Sequence, residues 1–390
     1  MSLNRRNFLR ISATAGAGAL FLIPTESLAS VKVNDAPKIP TRKLGKTGLE
    51  LPILSMGVMR ADNPSVLRAA YNSGIVHFDT AHGYQNGKNE EMVGNFLEGK
   101  PRDSFIVATK CKTRYPLSEN FESEYSEMMN TSLKRLRMDH VDIFYNHALD
   151  KVEEVKDPRM LAVLSKFKKE GKTRFIGFST HANKPEQIDA AIEAGIYDVI
   201  LISYNFKLKQ LKETEEAIAR GVKAGIGFVA MKTMTGGTED AEGKKKIDAG
   251  ACLKWVWQNK NITTIIPGFS NYDELDECLA AVANPELNDK DKKYIAALCN
   301  EELLYCVNCE KCVADCVEHL PIPDMMRAYM YNFGYKYPAL SKETLMELTL
   351  SEKICASCNT CSVTCTEGFD VQRKIASISR LIEVPNEFLV

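Results

Sequence analysis

The chain has 390 residues, more than one hydrophobic core usually organises, so two domains are expected. Hydrophobic residues at 45% and charged residues at 26% are the proportions of an ordinary globular protein, which excludes a largely disordered chain. The formal net charge of -1 gives no electrostatic reason to expect nucleic acid or an anionic membrane as a partner.

In chain order, the first feature is Asn4-Arg5-Arg6-Asn7-Phe8-Leu9-Arg10, followed by an apolar stretch from Ile11 to Ile23 and the small-x-small site Ser27-Leu28-Ala29. A cationic start, a short apolar centre and small residues at its end form a signal peptide. The apolar run is too short, and too rich in Gly and Ala, to span a bilayer well. The paired arginines before Phe8-Leu9 resemble the twin-arginine export signal, which implies cleavage after Ala29 and an exported, periplasmic protein. The competing assignment is an uncleaved amphipathic helix. Residues 30–41 read as a linker.

From about Leu51 to Val282 short apolar, β-branched runs alternate with longer amphipathic segments. The strand candidates are Ile53–Gly57, Ile75–Asp79, Phe105–Lys110, Val141–Asn146, Arg174–Ser179, Val199–Tyr204, Gly227–Met231 and Thr264–Ile266. The intervening helical patterns are Asn63–Asn72, Glu90–Leu97, Phe121–Leu136, Arg159–Glu170, Pro185–Glu193, Leu211–Lys223, Asp248–Gln258 and Tyr272–Ala283. This alternation predicts an α/β protein built on a (β/α)8 TIM barrel over residues 42–299. An open doubly wound sheet would prefer a Gly-rich phosphate loop after the first strand, and Met56-Gly57-Val58-Met59-Arg60 is no such loop. Lys244-Lys245-Lys246 reads as a solvated helix face.

Chemistry in such barrels sits at the C-terminal strand ends. Reading only those ends gives Asp79 and Tyr84 after the second strand, Lys110 on the third and His147 after the fourth. A phenol beside an ammonium is a plausible proton donor, because the cation favours phenolate and lowers the phenol's pKa. Asp79 would hold Lys110, and His147 would orient a substrate carbonyl or share the proton. His77, His82 and His181 read as ordinary polar residues, with His181 near the pocket rim. Each tetrad member alone has a structural explanation, a helix cap or a satisfied polar group. Their convergence at three successive strand ends favours function.

Eight of the twelve cysteines fall in a C-terminal window, residues 300–390. The window reads Cys306-x2-Cys309-x2-Cys312-x3-Cys316 and Cys355-x2-Cys358-x2-Cys361-x3-Cys365. Two-residue gaps let one tight loop present three thiolates to one cubane, while the fourth points away. A zinc ribbon, the alternative, uses two Cys-x2-Cys pairs and has no need of the third and fourth cysteine in each run. The insert between the runs reads as helical over Ile322–Asn332 and Lys342–Leu350. Tyr329, Tyr331, Phe333, Tyr335 and Tyr337 are expected to pack around the clusters. Cys111, Cys252, Cys278 and Cys299 show no ligand spacing and read as structural.

The run Phe78-Asp79-Thr80-Ala81-x-x-Tyr84 with Gly87 and Glu90 resembles the aldo/keto reductase family. So do Ala108-Thr109-Lys110, the stretch Leu133-x-x-Leu136 to Asp142-x-x-x-x-His147, and Ile266-Pro267-Gly268. The resemblance spans roughly Arg42 to Ala283. It implies Tyr84 as general acid tuned by Lys110 and Asp79, with hydride from a nicotinamide, and makes Thr41–Leu51 a hairpin closing the barrel floor. Ser179, Tyr204, Asn205, Lys232, Gly268, Ser270 and Asn271 are the corresponding nucleotide contacts. Leu201 and Thr180 replace an expected Gln and Asn, and no Lys or Arg follows Ser270 to grip a 2′-phosphate, which favours NAD(H) over NADP(H).

The cysteine runs resemble the two-cluster ferredoxin pattern. It implies one [4Fe-4S] cluster on Cys306, Cys309, Cys312 and Cys365 and a second on Cys355, Cys358, Cys361 and Cys316. Val317 and Thr366 replace the proline usual after the fourth cysteine. The function expected is an exported oxidoreductase of a small carbonyl or alcohol, with the clusters leading to a redox partner protein. The rivals are an electron-transfer or binding protein on an idle barrel, and clusters that only staple the tail.

Overall fold

A computed structural model describes residues 39–149, 151–237, 246–301, 304–348, 354–356 and 358–389. The twin-arginine segment, its cleavage site, most of the linker, and Lys244 and Lys245 lie outside the described residues.

A hairpin comes first: β1 (Thr41–Lys43) pairs antiparallel with β2 (Glu50–Pro52). Eight parallel strands follow: β3 (Met56–Gly57), β4 (His77–Asp79), β5 (Ile106–Cys111), β6 (Val141–Asn146), β7 (Thr173–Thr180), β8 (Val199–Ser203), β9 (Gly227–Met231) and β10 (Thr264–Ile265). They are ordered sequentially from β3 to β10. The edges meet through a Leu54–Ile265 bridge, with the Ser55 amide donating to the Ile265 carbonyl at 2.9 Å and the Gly57 amide to the Pro267 carbonyl at 3.0 Å. The result is a nearly closed (β/α)8 barrel, as the alternation in the sequence implied.

The helices between the strands are α1 (Pro64–Asn72), α2 (Lys88–Leu97), α3 (Phe121–Leu136), α4 (Val152–Lys156), α5 (Pro158–Lys169), α6 (Lys184–Ala194), α7 (Leu211–Lys223), α8 (Ala249–Gln258) and α9 (Tyr272–Ala283). Their starts are written in the sequence: Asn63, Asp157, Asp248 and Asn271 each accept a backbone N–H of the first turn. Short α4 and the later α10 (Asp289–Leu298) carried no clear sequence signal.

Strand alternation sorts the core into two layers. Ala108, Ile143, Tyr145, Val199, Leu201 and Val229 point inward and meet Leu44, Leu49 and Leu51 of the hairpin, which therefore plugs the barrel floor. The alternate residues, Ile200, Ile202 and Tyr204 among them, face the helices. Gly45 in the hairpin has φ +52°, and a Cβ there would lie 2.4 Å from the Gly225 carbonyl oxygen. Only glycine permits that approach.

The C-terminal part consists of α11 (Lys311–Asp315), α12 (Ile322–Phe333), α13 (Pro338–Glu347) and α14 (Val371–Ile378) around their own core of Ile322, Met325, Met326, Leu345, Ile375 and Ile378. It lies on the barrel mouth. Gly236 of the loop after β9 and Gly334 after α12 touch backbone to backbone: a Cβ on Gly334 would stand 2.1 Å from the Gly236 carbonyl oxygen. Lys112–Glu347 at 2.7 Å and Lys209–Glu367 at 2.7 Å bridge the same seam.

Gly334→Ala is therefore expected to loosen the roof at a cost of about 1–3 kcal/mol. Limited proteolysis should cleave it between the two parts faster than wild type, with a lower melting temperature.

Candidate active site and iron–sulfur sites

The four strand-end residues meet in one cavity of about 780 Å³ at the barrel mouth. Lys110 Nζ lies 2.6 Å from Asp79 Oδ1, with both side chains almost wholly buried, and also donates to the Thr80 carbonyl. The same ammonium stands 4.9 Å from the Tyr84 ring centroid. The Tyr84 and His147 rings meet edge to face, centroids 5.9 Å apart. Each is aimed by its loop. The His82 amide donates to the Lys110 carbonyl at 2.8 Å, and Gln85 and Asn86, both at positive φ, turn the chain behind Tyr84. Gln85 Nε2 ties that turn to the Met59 and Ala61 carbonyls. The His147 amide extends strand pairing to the Cys111 carbonyl at 2.9 Å.

The electrostatics differ from the expectation in one respect. Burial pushes the Tyr84 phenol well above its usual range, and the nearby Asp79 carboxylate adds to the rise. Lys110 does not reverse this, because its ammonium is held by Asp79 and the Thr80 carbonyl. Tyr84 is thus a firmly protonated acid. His147 is driven the opposite way, well below the usual imidazole range, by burial and then by Lys110, Lys112, Arg327 and Lys232. It is neutral, with one nitrogen to donate and one to accept.

Arg327, Tyr331 and Tyr335 of the C-terminal part line the same cavity, as do Glu343 and Glu347. This corrects the expectation that the aromatic stripe belongs to the clusters. Tyr331 and Tyr335 cover Lys232, whose ammonium lies 4.7 and 4.8 Å from their ring centroids. Tyr329, stacked on Phe333 with centroids 4.4 Å apart, packs against the core that holds Cys312 and Cys316, as expected, whereas Tyr337 lies beside Gln85. Tyr305, directly before the first cysteine, is buried at the mouth, hydrogen-bonded to Ser203 and Asn205. Tyr331 lies in the last turn of α12 and Tyr335 just beyond its end, so the sequence shows an aromatic cluster but not which surface it covers.

Several of the expected nucleotide contacts are hydrogen-bonded within the chain. Ser179 Oγ accepts the Ala148 amide at 2.8 Å and so anchors the His147 loop. Tyr204 follows β8 on its outward side, hydrogen-bonded to Glu215 and Asn259 and packed on Trp255. Asn205 holds the Lys232 carbonyl at 3.0 Å, and Lys232 Nζ lies 3.1 Å from the Tyr335 hydroxyl. The Ser270 amide and hydroxyl both donate to Glu274, at 2.7 and 3.0 Å, while Asn271 caps α9. Arg60, 3.2 Å from Glu274, is engaged there as well. Lys232 and Gly268 alone of the seven line the cavity, together with Leu201. The other five are engaged with neighbouring residues of the chain or lie outside the cavity lining.

The cysteines fall into two groups. Burial, and then the neighbouring Cys312, Cys365 and Cys309, push the Cys306 thiol up to about 12. The charged neighbours of Cys355 are Cys316, Cys361 and Cys358, and these four line a separate cavity of about 160 Å³. Cys316 and Cys365 are thus exchanged between the two runs. All eight are free of disulfides. Four crowded thiols can all ionise only beside compensating positive charge, which fits an iron–sulfur cluster in each group. Left-handed residues Asn308 and Glu310 make the tight turns between the first three ligands. Cys111, Cys252 and Cys278 are buried, and burial raises their thiols.

His77 is wholly buried inside the barrel with no hydrogen-bond partner on either ring nitrogen among the described residues, and burial lowers its pKa to about 4. The unfolded chain takes up this proton near pH 6.5, whereas the fold refuses it until about pH 4. Stability should fall as the pH drops through that window. His147 and His181, both lowered by burial, act in the same sense. The melting temperature measured against pH should show this slope, flattened in His77→Gln.

The aldo/keto reductase family profile matches residues 54–251, and a 4Fe-4S dicluster domain profile matches residues 305–370. L-galactose dehydrogenase of Arabidopsis thaliana is 27% identical over 66% of this chain and 93% of its own length. L-glyceraldehyde 3-phosphate reductase of Escherichia coli O157:H7 is 26% identical over 62% of this chain and 87% of its own. The holo form of aldo-keto reductase AKR11C1 from Bacillus halodurans superposes with a TM-score of 0.56 at 22% identity, covering 67% of this chain and 96% of its own. With the barrel and a dicluster domain both matched, the chain belongs to the aldo/keto reductase family, and it is an oxidoreductase.

Proposed function

We propose that the protein interconverts a small carbonyl compound and its alcohol in the roofed barrel mouth, in electronic contact with two [4Fe-4S] clusters. The observation that carries this reading is the meeting of Asp79, Tyr84, Lys110 and His147 in one cavity. Tyr84 donates its phenolic proton to the substrate oxygen, while a nicotinamide, when bound, would supply the hydride to the carbonyl carbon. Lys110 stands near enough to stabilise the phenolate that results, and Asp79 keeps that ammonium in place. Neutral His147 offers a ring N–H to the carbonyl oxygen and orients it. The roof excludes water, which strengthens each of these interactions.

Cys306, Cys309, Cys312 and Cys365 would hold one cluster, and Cys316, Cys355, Cys358 and Cys361 the other. When bound, they supply one-electron transfer toward a redox partner protein. Any nicotinamide taken up is NAD rather than NADP, since Ser270 and Arg60 are both committed to Glu274. We further propose that Arg5-Arg6 directs export by the twin-arginine route, which carries the protein folded with its clusters in place.

Tyr84→Phe should lower turnover by about two to four powers of ten while leaving the cluster absorption unchanged. Full activity in that variant would make the barrel an idle scaffold. Cys316→Ser should lower bound iron from about eight to about four per chain. Titration with NADH and NADPH should show no tighter binding of NADPH, and tight NADPH binding would overturn the preference. Replacing Arg5 and Arg6 by lysine should leave the precursor inside the cell, checked by fractionation.

A further inference from the structure

Lys232 ends β9 at φ +58°, a conformation that non-glycine residues seldom adopt. It is held there by Asn205 Nδ2, which donates to its carbonyl at 3.0 Å. The result is an ammonium aimed into the cavity and covered by the Tyr331 and Tyr335 rings. Buried charges in proteins are ordinarily paired. Lys110 has Asp79, Lys112 has Glu347, and Arg60 has Glu274. Lys232 has no carboxylate within ion-pair distance among the described residues; its hydrogen-bond acceptor is the neutral Tyr335 hydroxyl at 3.1 Å.

Arg327, itself paired with Asp324 at 2.6 Å, adds a further positive charge, and His147 and His181 lie within electrostatic range of both cations. Two aromatic faces compensate a partly buried ammonium only in part. Among the described residues, no carboxylate pairs with this amine, so an anion bound there would complete it.

We propose that Lys232 is an oxyanion subsite, and that the substrate carries a carboxylate or phosphate group which docks on this ammonium beneath the roof. Anchored there, the substrate turns its carbonyl toward Tyr84 and His147, which line the same cavity. The inference rests on the reading of this cavity as the substrate site and adds the chemical class of the substrate. It also gives the C-terminal part a role apart from its clusters: Tyr331, Tyr335 and Arg327 complete the binding site.

The test is calorimetry on the cluster-loaded full chain, prepared anaerobically, with oxamate, its neutral analogue oxamide, and inorganic phosphate as probes. Oxamate or phosphate should bind at least about tenfold more tightly than oxamide. A preference for oxamate assigns a carboxylate substrate, and a preference for phosphate assigns a phosphate ester. Lys232→Met should lose about tenfold or more in oxyanion affinity, and Lys232→Arg should keep most of it. Unchanged cluster absorption and melting temperature would show that both variants fold.

Burial and Arg327 hold the free amine's pKa well below its usual range, so anion binding should take up protons. The heat would then depend on the ionisation enthalpy of the buffer. Equal binding of oxamide and the oxyanions, or wild-type affinity in Lys232→Met, overturns the proposal. Tyr84→Phe should still bind oxamate; if that variant kept full turnover while binding still required Lys232, the catalytic reading would fail and the subsite would stand.

Discussion

The ion pair between Lys110 and Asp79 is the interaction on which the site depends. It joins neighbouring strands β4 and β5 at 2.6 Å, with both side chains nearly inaccessible to water. Desolvating two such charges costs several kcal/mol each, and the attraction between them offsets that only with good geometry and further hydrogen bonds. The Thr80 carbonyl provides one such bond to the ammonium. Asp79 Oδ2 has no partner among the described residues. Stability alone is a weak reason for such a pair, since apolar side chains of similar volume would serve as well. Its consequence is a cation fixed beside the Tyr84 ring, where a phenolate would form.

Burial explains the contrast between the two proton-bearing rings. Tyr84 is raised and His147 lowered, and burial is the leading cause for both. At such burial the neutral form of each wins: the phenol keeps its proton and the imidazole declines a second one. An acid and a neutral hydrogen-bond donor are what reduction of a carbonyl requires beside its hydride source. The C-terminal part adds to that burial, since it lies over the mouth through Gly236 and Gly334 and brings Tyr331, Tyr335 and Arg327 into the lining. The iron–sulfur part and the barrel are therefore two halves of one pocket.

Much of the fold was legible in the sequence. Every strand and helix expected between Ile53 and Ala283 is present to within a few residues, because each strand has a β-branched apolar run and several helices have an Asn or Asp cap. The tetrad was legible because strand ends are positions the barrel repeats, so Asp79, Lys110 and His147 could be placed by counting. The cysteine runs were legible from spacing alone. The surroundings of the expected nucleotide contacts were not legible, because the sequence offers no sign of direction: Tyr204 differs from an inward residue by a single step along the strand, and Ser270 bonds Glu274 within the first turn of α9.

By itself, then, the sequence determined the local chemistry: which residues can carry a proton, ligate iron, cap a helix or fill a strand. Those properties depend on near neighbours and on short repeats of two, three or four residues. Only the tertiary structure decided which surface the aromatic stripe covers, that Tyr84 is raised rather than lowered, and that Lys232 meets two tyrosine rings and no carboxylate among the described residues. Each of these depends on groups from distant parts of the chain meeting where water is excluded. Burial and charge pairing are properties of that meeting and leave no trace in residue order.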